Sequence, residues 1–542
     1  MKIVDSSTRK SALLGVLLST ALAAAGCSRS APPPPGNGAQ PAAAETGAAA
    51  PPSGPCGASP PTATPTLPGS LGGSQAEVDC AAWQAFIALN WKADPNNPGY
   101  PDKKVPWASF GTPGSMDPTV WETYVGAAAV FDGSVPLKGL WQRKRPAVKM
   151  LSRTSKFGDL DLSDIAQAGS GDHWLTNQRG DVTYYEIMMN RDEFEFITTQ
   201  PAFDLTTASG QLKCAMQPGK VVYDGTPPPP PNLPRRGGLS MPSGNANGWS
   251  DTDCTGAQHQ WGDGVGAMEI KAAWTPLPAD HSLDYRYKTA IAQVRDPVTK
   301  TMRKVTVGLV GLHIIRKSIG RQQWVWATFE QIDNSPDEAP NGGFAPPVLP
   351  PNPNQRPSPG YTFFNPACTP QKDPTYRCQH NRPPRPCGTV GIVCDPYDKP
   401  MQITRLNPVA DPANQVTALV WKMLPAKSVF NYYRLIGAQW PQDVTLIVPA
   451  QQRLPLPMGN QMPKGTAGGT GQIVANTSLE SFQQSAASCM DCHANFASIA
   501  PLRLKATIEA NGLRKVMKAR GLQGLQPYSS DYSFIFLAET KR

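Results

Sequence analysis

Cys489, Cys492 and His493 form a C-x-x-C-H pentapeptide towards the carboxyl end of the chain. Two thiols three positions apart on one helical turn can each add to one vinyl group of a porphyrin, and the next imidazole then reaches the iron from the proximal side. The spacing therefore predicts one covalently attached haem c. A chance pentapeptide and half of a zinc site are the alternatives, but a zinc site needs a second ligand pair, and no Cys or His follows His493.

The sixth iron ligand would separate an electron carrier from a catalyst, and the sequence leaves several candidates open. His313 shares one face of a predicted strand with apolar residues, where it needs either iron or a hydrogen-bonding partner. Met517 lies downstream of the motif in a predicted helix, and a thioether ligand would raise the haem potential. Met517 could equally fill the core, and Met458 and Met462 lie in a Pro- and Gly-containing loop that could cover the haem.

The amino-terminal residues indicate export, which haem attachment of this kind requires. Lys2, Arg9 and Lys10 precede a short apolar run, so residues 1–26 are predicted to be a signal peptide. Cys27 follows small residues and resembles the lipidated cysteine of a bacterial lipobox, although Leu22 lies five residues before it where that pattern has Leu at three. Ordinary signal cleavage is the alternative. Ser28 after a lipidated Cys27 would imply a periplasmic, lipid-anchored protein at the outer membrane.

The other cysteines predict disulfide bonds. Of eleven cysteines, eight remain after Cys27 and the haem pair, an even number that suits an oxidising compartment. Because short loops cost least to close, we expect Cys56 to pair with Cys80 and Cys214 with Cys254. The other four would pair with one another within residues 368–394, and some of the eight could be buried thiols. These four are Cys368, Cys378, Cys387 and Cys394.

Composition is that of a globular protein with many irregular connections. The chain is 40% hydrophobic and 17% charged, with 59 Pro and 48 Gly. Its formal net charge of +9 is modest for 542 residues, and no dense Lys or Arg run occurs, so nucleic acid is not an expected partner. The basic balance suits an anionic surface or an acidic redox partner protein. A small-molecule electron donor or acceptor is the alternative redox partner.

Domain organisation follows from these patterns. After the signal peptide, residues 27–70 are predicted to be a disordered Pro- and Ala-rich tether, 71–470 a mixed body with antiparallel strands and Pro-rich loops, and 471–542 the haem-binding segment. Helical spacing begins near Cys80, and five stretches rich in β-branched and aromatic residues predict strands, the last three as an antiparallel meander. Thr477 and Glu480 have the spacing of a helix capping box. The predicted strands are 182–188, 267–274, 285–294, 305–315 and 324–330.

The chain resembles large bacterial proteins grouped as a cytochrome c family of unassigned role. Beyond the haem motif, short segments carry the resemblance, among them residues 83–91, 269–274, 324–330 and 431–440. The resemblance implies an exported haem protein and no particular substrate. The expected fold is α+β, a β-rich antiparallel body with a C-terminal helical segment like that of cytochrome c.

The sequence thus favours an exported monohaem c-type cytochrome that transfers electrons at the bacterial cell envelope. A haem-dependent peroxidase or oxygenase with an open distal site is the alternative, and the large body favours it. A lipoprotein that senses a diatomic gas is a third possibility. Because the chain that follows His493 is shorter than small cytochromes use to wrap a porphyrin, we expect the haem segment to pack against the preceding body.

Overall fold

Five α-helices and ten β-strands are found in the described part of this computed structural model. The described residues are 56–57, 59–69, 71, 74–151, 174–217, 238–244, 251–295, 301–318, 321–338, 343–347, 349–370, 372, 378–383, 401–440, 474–484, 489, 493, 499 and 530–538. The helices are α1 (Gln75–Leu89), α2 (Ala127–Phe131), α3 (Arg191–Thr198), α4 (Ala208–Ala215) and α5 (Asp411–Met423). The strands are β1 (Val125–Gly126), β2 (Val148–Leu151), β3 (Tyr184–Met189), β4 (Met268–Pro276), β5 (Thr289–Arg295), β6 (Met302–Ser318), β7 (Arg321–Gln331), β8 (Asp337–Glu338), β9 (Phe344–Ala345) and β10 (Tyr433–Gln439).

An eight-stranded mixed sheet organises the body. Its main path runs β1-β3-β4-β6-β5-β2, and β7 and β10 branch from β6. The 17-residue β6 pairs with β4 along one edge, while its other edge pairs first with β5 and then with β7. All pairs are antiparallel except β2 with β5. The sheet therefore forks along one edge of its longest strand.

Tyr433 lies between β5 and β7, where the two strands diverge along the edge of β6. Its hydroxyl accepts a hydrogen bond from the Lys288 amide over 3.0 Å and donates one to the Leu309 carbonyl over 2.7 Å. Because buried backbone groups must be paired where a sheet divides, a phenol at this point replaces the missing ladder bonds. Tyr433 is itself the first residue of β10, so the outer strand also holds the fork together.

The apolar face of the sheet packs against α1. Ser74 caps this helix and forms a reciprocal capping box with Glu77, which fixes where the helix begins. Trp83 and Phe86 of α1 lie with ring centroids 5.0 and 4.4 Å from Phe329 of β7. Side chains alternate between the two faces of a strand, so Phe329 points into this core while its neighbours Thr328 and Glu330 point to the opposite face.

Three disulfides close loops around this body. The Cys56–Cys80 and Cys214–Cys254 pairs form, as predicted. Cys368 pairs with Cys378 within the predicted range. Cys387 and Cys394 lie outside the described residues, as does Cys27.

The predicted fold class is wrong in two respects. The sheet is mixed and curled, with few helices around it, where we expected an antiparallel body in an α+β fold. The predicted helical cytochrome c-like segment is not supported: residues 474–484 form turns, Ile535–Ala538 form a short 3₁₀ helix, and among the described C-terminal residues only Cys489 and His493 are α-helical. The Thr477 amide, which would lie at the start of the predicted helix, donates instead to Glu330 of β7.

The five predicted strands correspond to β3, β4, β5, β6 and β7, and the last three form the predicted meander. The helices found among the described residues are all too short or too polar to cross a bilayer.

Candidate functional site

The second face of the sheet is polar although it is buried. We call it the polar face and define it by Glu269 and Lys271 of β4, His313 of β6, and Thr328 and Glu330 of β7, all of which are less than a tenth exposed. Register places Lys271 beside His313 and His313 beside Thr328. Two C-terminal stretches, residues 474–484 and 530–538, lie over this face and supply partners for it.

Asn476 and Thr477 fasten the first stretch to β7. The Asn476 side-chain amide donates to Thr328 Oγ1 and to the Phe329 carbonyl, each over 2.9 Å. The Thr477 amide donates to Glu330 Oε1, which also accepts from the buried guanidinium of Arg405. These long-range bonds use the Asn476 side chain and the Thr477 main-chain amide, which would otherwise lie at the start of a helix. The local capping-box pattern therefore does not produce a helix here.

Glu480 is the partner of His313. Its Oε2 lies 3.4 Å from His313 Nε2 and accepts a hydrogen bond from the main-chain amide of Asn476 over 2.9 Å. Burial alone would raise the pKa of Glu480, but the charge and hydrogen bond of His313, with the charge of Lys271, outweigh burial and lower that pKa to about 2. His313 thus lies within ion-pair distance of an anionic carboxylate, which is a partner other than iron.

Asp531 fastens the second stretch. Its carboxylate accepts from the Met241 amide over 2.7 Å and forms an ion pair with the buried Lys317 of β6. Its carbonyl accepts from Trp324 Nε1 over 2.6 Å. A buried charge is tolerated when it is paired and hydrogen-bonded, so these contacts fix residues 530–533 against β6 and β7.

His493 is held against this second stretch. Its Nδ1 lies 2.6 Å from the Tyr532 carbonyl, and because a carbonyl can only accept, Nδ1 carries a proton, which in the neutral ring leaves the lone pair on Nε2. Trp326 of β7 and Phe534 lie with ring centroids 5.7 and 4.8 Å from the imidazole. Trp326 therefore joins the histidine of the motif to the strand that carries Thr328 and Glu330.

Cys489 is joined to the outer strand of the sheet. Its amide donates to Gln439 Oε1 of β10 over 3.1 Å, and its side chain packs against the main core. The backbone of both Cys489 and His493 is helical. Cys492, the second predicted thioether, lies outside the described residues, as do Met458, Met462 and Met517.

Two further carboxyl groups meet beside the second stretch. Glu193 of α3 and Glu269 of β4 are fully enclosed and within hydrogen-bonding contact, and Ser533 is a second partner of Glu269. Burial is the main cause that raises the pKa of both, that of Glu269 to about 7. Both oxygens of Glu193 and one of Glu269 lack a donor among the described residues, and a proton shared between the carboxyls would pair one oxygen of each.

The described residues fit the proximal side of a c-type haem. A proximal histidine ordinarily donates its other ring nitrogen to a carbonyl or carboxylate, which fixes the ring and leaves Nε2 for iron. His493 makes that bond, and aromatic rings surround it. Among the described residues, no group of three or more His, Cys, Asp or Glu side chains has the arrangement of a bare metal site, but a thioether-linked haem needs only one protein ligand here.

Sequence reasoning brought out part of this site. The pentapeptide pointed to Cys489 and His493, and the predicted strand 324–330 corresponds to β7, which carries Trp326. It missed Glu193, Glu269 and Glu480 as members of buried charge clusters. In the sequence, Glu269 and Lys271 alternate with the apolar Ile270, and this alternation could have been used to predict a polar face.

No protein-family model, curated protein or solved structure matches this chain. The family resemblance and its functional implications thus have no support from these comparisons.

Proposed function

We propose that this protein is an exported monohaem c-type cytochrome that transfers electrons at the bacterial cell envelope. Cys489 and Cys492 would form the thioethers, and His493 would bind iron through Nε2. The observation that carries the proposal is the bond from His493 Nδ1 to the Tyr532 carbonyl, since it sets the tautomer that a proximal ligand requires. When bound, the haem would supply a reversible one-electron centre.

The surroundings of His493 support an electron-transfer role. Trp326 and Tyr532 are buried with their rings 6.4 Å apart, and the Trp326 ring lies beside the imidazole. Rigid, largely apolar surroundings limit solvent access and help to set the potential of a buried redox centre. A protein redox partner or a small-molecule donor or acceptor would exchange the electron, and an amino-terminal lipid at Cys27 would hold the protein at the outer membrane.

The haem segment is integrated with the body in this account. Residues 474–484 and 530–538 bracket Cys489 and His493 in sequence, and both stretches are bonded to the same sheet face. The sheet would therefore fix the orientation of the proximal histidine. This arrangement gives the large body a role in positioning the haem, which a small self-contained cytochrome performs with its own helices.

The optical spectrum of the purified, reduced protein tests the proposed function. A carrier with two strong axial ligands gives sharp low-spin bands that carbon monoxide leaves unchanged. High-spin bands that shift with carbon monoxide would contradict a carrier and favour the peroxidase, oxygenase or gas-sensing alternatives.

The same spectrum tests the distal ligand. His313→Ala should leave the reduced bands unchanged if Glu480 is the partner that His313 needs, and should make the haem high-spin if His313 binds iron. Met517→Ala is the parallel test for a thioether ligand. Because neither residue belongs to the C-x-x-C-H motif, covalent haem should be retained in both variants, which is measured by mass.

A further inference from the structure

Glu193 and Glu269 form a buried pair of carboxyl groups that does not face an unpaired cation among the described residues. Glu193 lies on α3 and Glu269 on β4, and each is less than a tenth exposed. The charged groups that act on the pair are Asp531 from the C-terminal stretch and Lys317 from β6. Since Asp531 and Lys317 form an ion pair with each other, their charges largely cancel, and neither of these two charged neighbours among the described residues is a free cation that would hold both glutamates ionised.

A short path of hydrogen bonds and one peptide unit connects this pair to His493. Ser533 is a hydrogen-bond partner of Glu269, and the preceding residue, Tyr532, provides the carbonyl that accepts from His493 Nδ1. The imidazole and the carboxyl pair are thus separated by one peptide unit and two hydrogen bonds, on the order of 10 Å. Charges at that separation in a protein interior still interact measurably.

We infer that the Glu193–Glu269 pair binds and releases one proton in step with the oxidation state of the haem, an inference that rests on the proposed function. When a one-electron donor reduces the iron, the pair takes up one proton from solvent and passes from the singly to the doubly protonated form. When the electron leaves, that proton returns to solvent. The pair would therefore couple proton uptake to electron uptake near neutral pH.

The sign of the effect follows from electrostatics. Ferric iron carries one more positive charge than ferrous iron, so it favours the ionised form of the pair and lowers its proton affinity. One charge on the order of 10 Å away, at an effective dielectric constant of about 20, changes that affinity about tenfold. The midpoint potential should therefore fall as pH rises through neutrality, by about 59 mV in total, the one-electron equivalent of a tenfold change.

The test is a spectroelectrochemical titration of the exported, haem-loaded full chain between about pH 5 and 9. Wild type should show the fall in potential, and Glu269→Gln should abolish it, because the amide does not titrate and can donate to Glu193. Glu195→Gln is the matched control on the same helix, where Glu195 is partly exposed and paired with Arg191, and it should keep the wild-type fall. A flat wild-type potential, or an unchanged fall in Glu269→Gln, overturns the inference.

A second measurement keeps the test decisive if Glu269→Gln does not fold. The redox-difference infrared spectrum of wild type should contain a protonated-carboxyl C=O band that grows on reduction, and Glu193→Gln should remove it. Absence of that band from wild type overturns the inference. Protein that carries no haem overturns the proposed function and this inference together, whereas haem-loaded protein with a pH-independent potential overturns only the inference.

Discussion

The hydroxyl of Ser478 occupies the space that a side chain at Gly311 would need. A Cβ built on Gly311 overlaps Ser478 Oγ and lies 3.0 Å from Asn476 Oδ1. Glycine at this point of β6 therefore lets residues 474–484 approach the polar face closely enough for Asn476 and Thr477 to bond to β7. This close approach is what unites the C-terminal segment with the sheet.

Gly311→Ala should loosen that contact. The added methyl group must displace residues 474–484, and overpacking of this kind costs about 1–3 kcal/mol of unfolding free energy. Denaturant unfolding measures the loss. Ser478→Gly in the Gly311→Ala background removes the overlapping hydroxyl and should recover part of it, whereas Gly126→Ala is a control, because its Cβ would meet Met188 Sδ at an ordinary 3.6 Å. Equal stability of Gly311→Ala and wild type would contradict the described approach.

Glu480 should make the protein sensitive to acid. Its folded-state pKa of about 2 lies below the ordinary value of 4.5, so its contribution to stability is complete above about pH 4.5 and is lost as pH falls towards 2. The loss amounts to about 3 kcal/mol over that range. Unfolding free energies of wild type and Glu480→Gln measured at about pH 5.5 and 3 should converge at the lower pH. A wild-type advantage that persists undiminished in acid would refute the ion pair with His313.

Loop length should determine which of two disulfides contributes more to the free energy of unfolding. Removal of Cys214–Cys254, which closes 40 residues, should cost about 4 kcal/mol, and removal of Cys368–Cys378, which closes 10, about 3 kcal/mol. Paired Cys→Ala variants and thermal or denaturant unfolding measure both losses. The reverse order would show that strain or residual structure in the unfolded chain outweighs loop entropy.

The elements that could be predicted from sequence are those whose local pattern agrees with their final surroundings. β6 is rich in β-branched residues and β7 in aromatic residues, and β6 is buried from Val307 onward, so propensity and burial favour the same structure. β2 was missed because Val148–Leu151 has only four residues, and β10 because Tyr433–Gln439 includes Gly437 and a register shift at the same place. Neither strand has a pattern long enough to be recognised alone.

The C-terminal segment shows where local patterns mislead. The Thr477 and Glu480 spacing indicates a helix start, yet Glu480 bonds to Asn476 and contacts His313, and Thr477 bonds to Glu330. His313 and Glu330 lie about 150 residues or more away in the sequence from these partners, so only the register of the sheet brings them together. The same reason hides the Glu193–Glu269 pair, whereas the haem prediction could be made from sequence because it depends on five consecutive residues.

The mass of the exported protein is the most direct test of the account. After acid–acetone extraction, the account predicts that the polypeptide retains one covalently bound haem, and that changing both Cys489 and Cys492 to Ala abolishes the added mass. A protein that leaves export with the mass of its polypeptide and any processing lipid alone, or whose porphyrin is removed by extraction, would contradict the central claim.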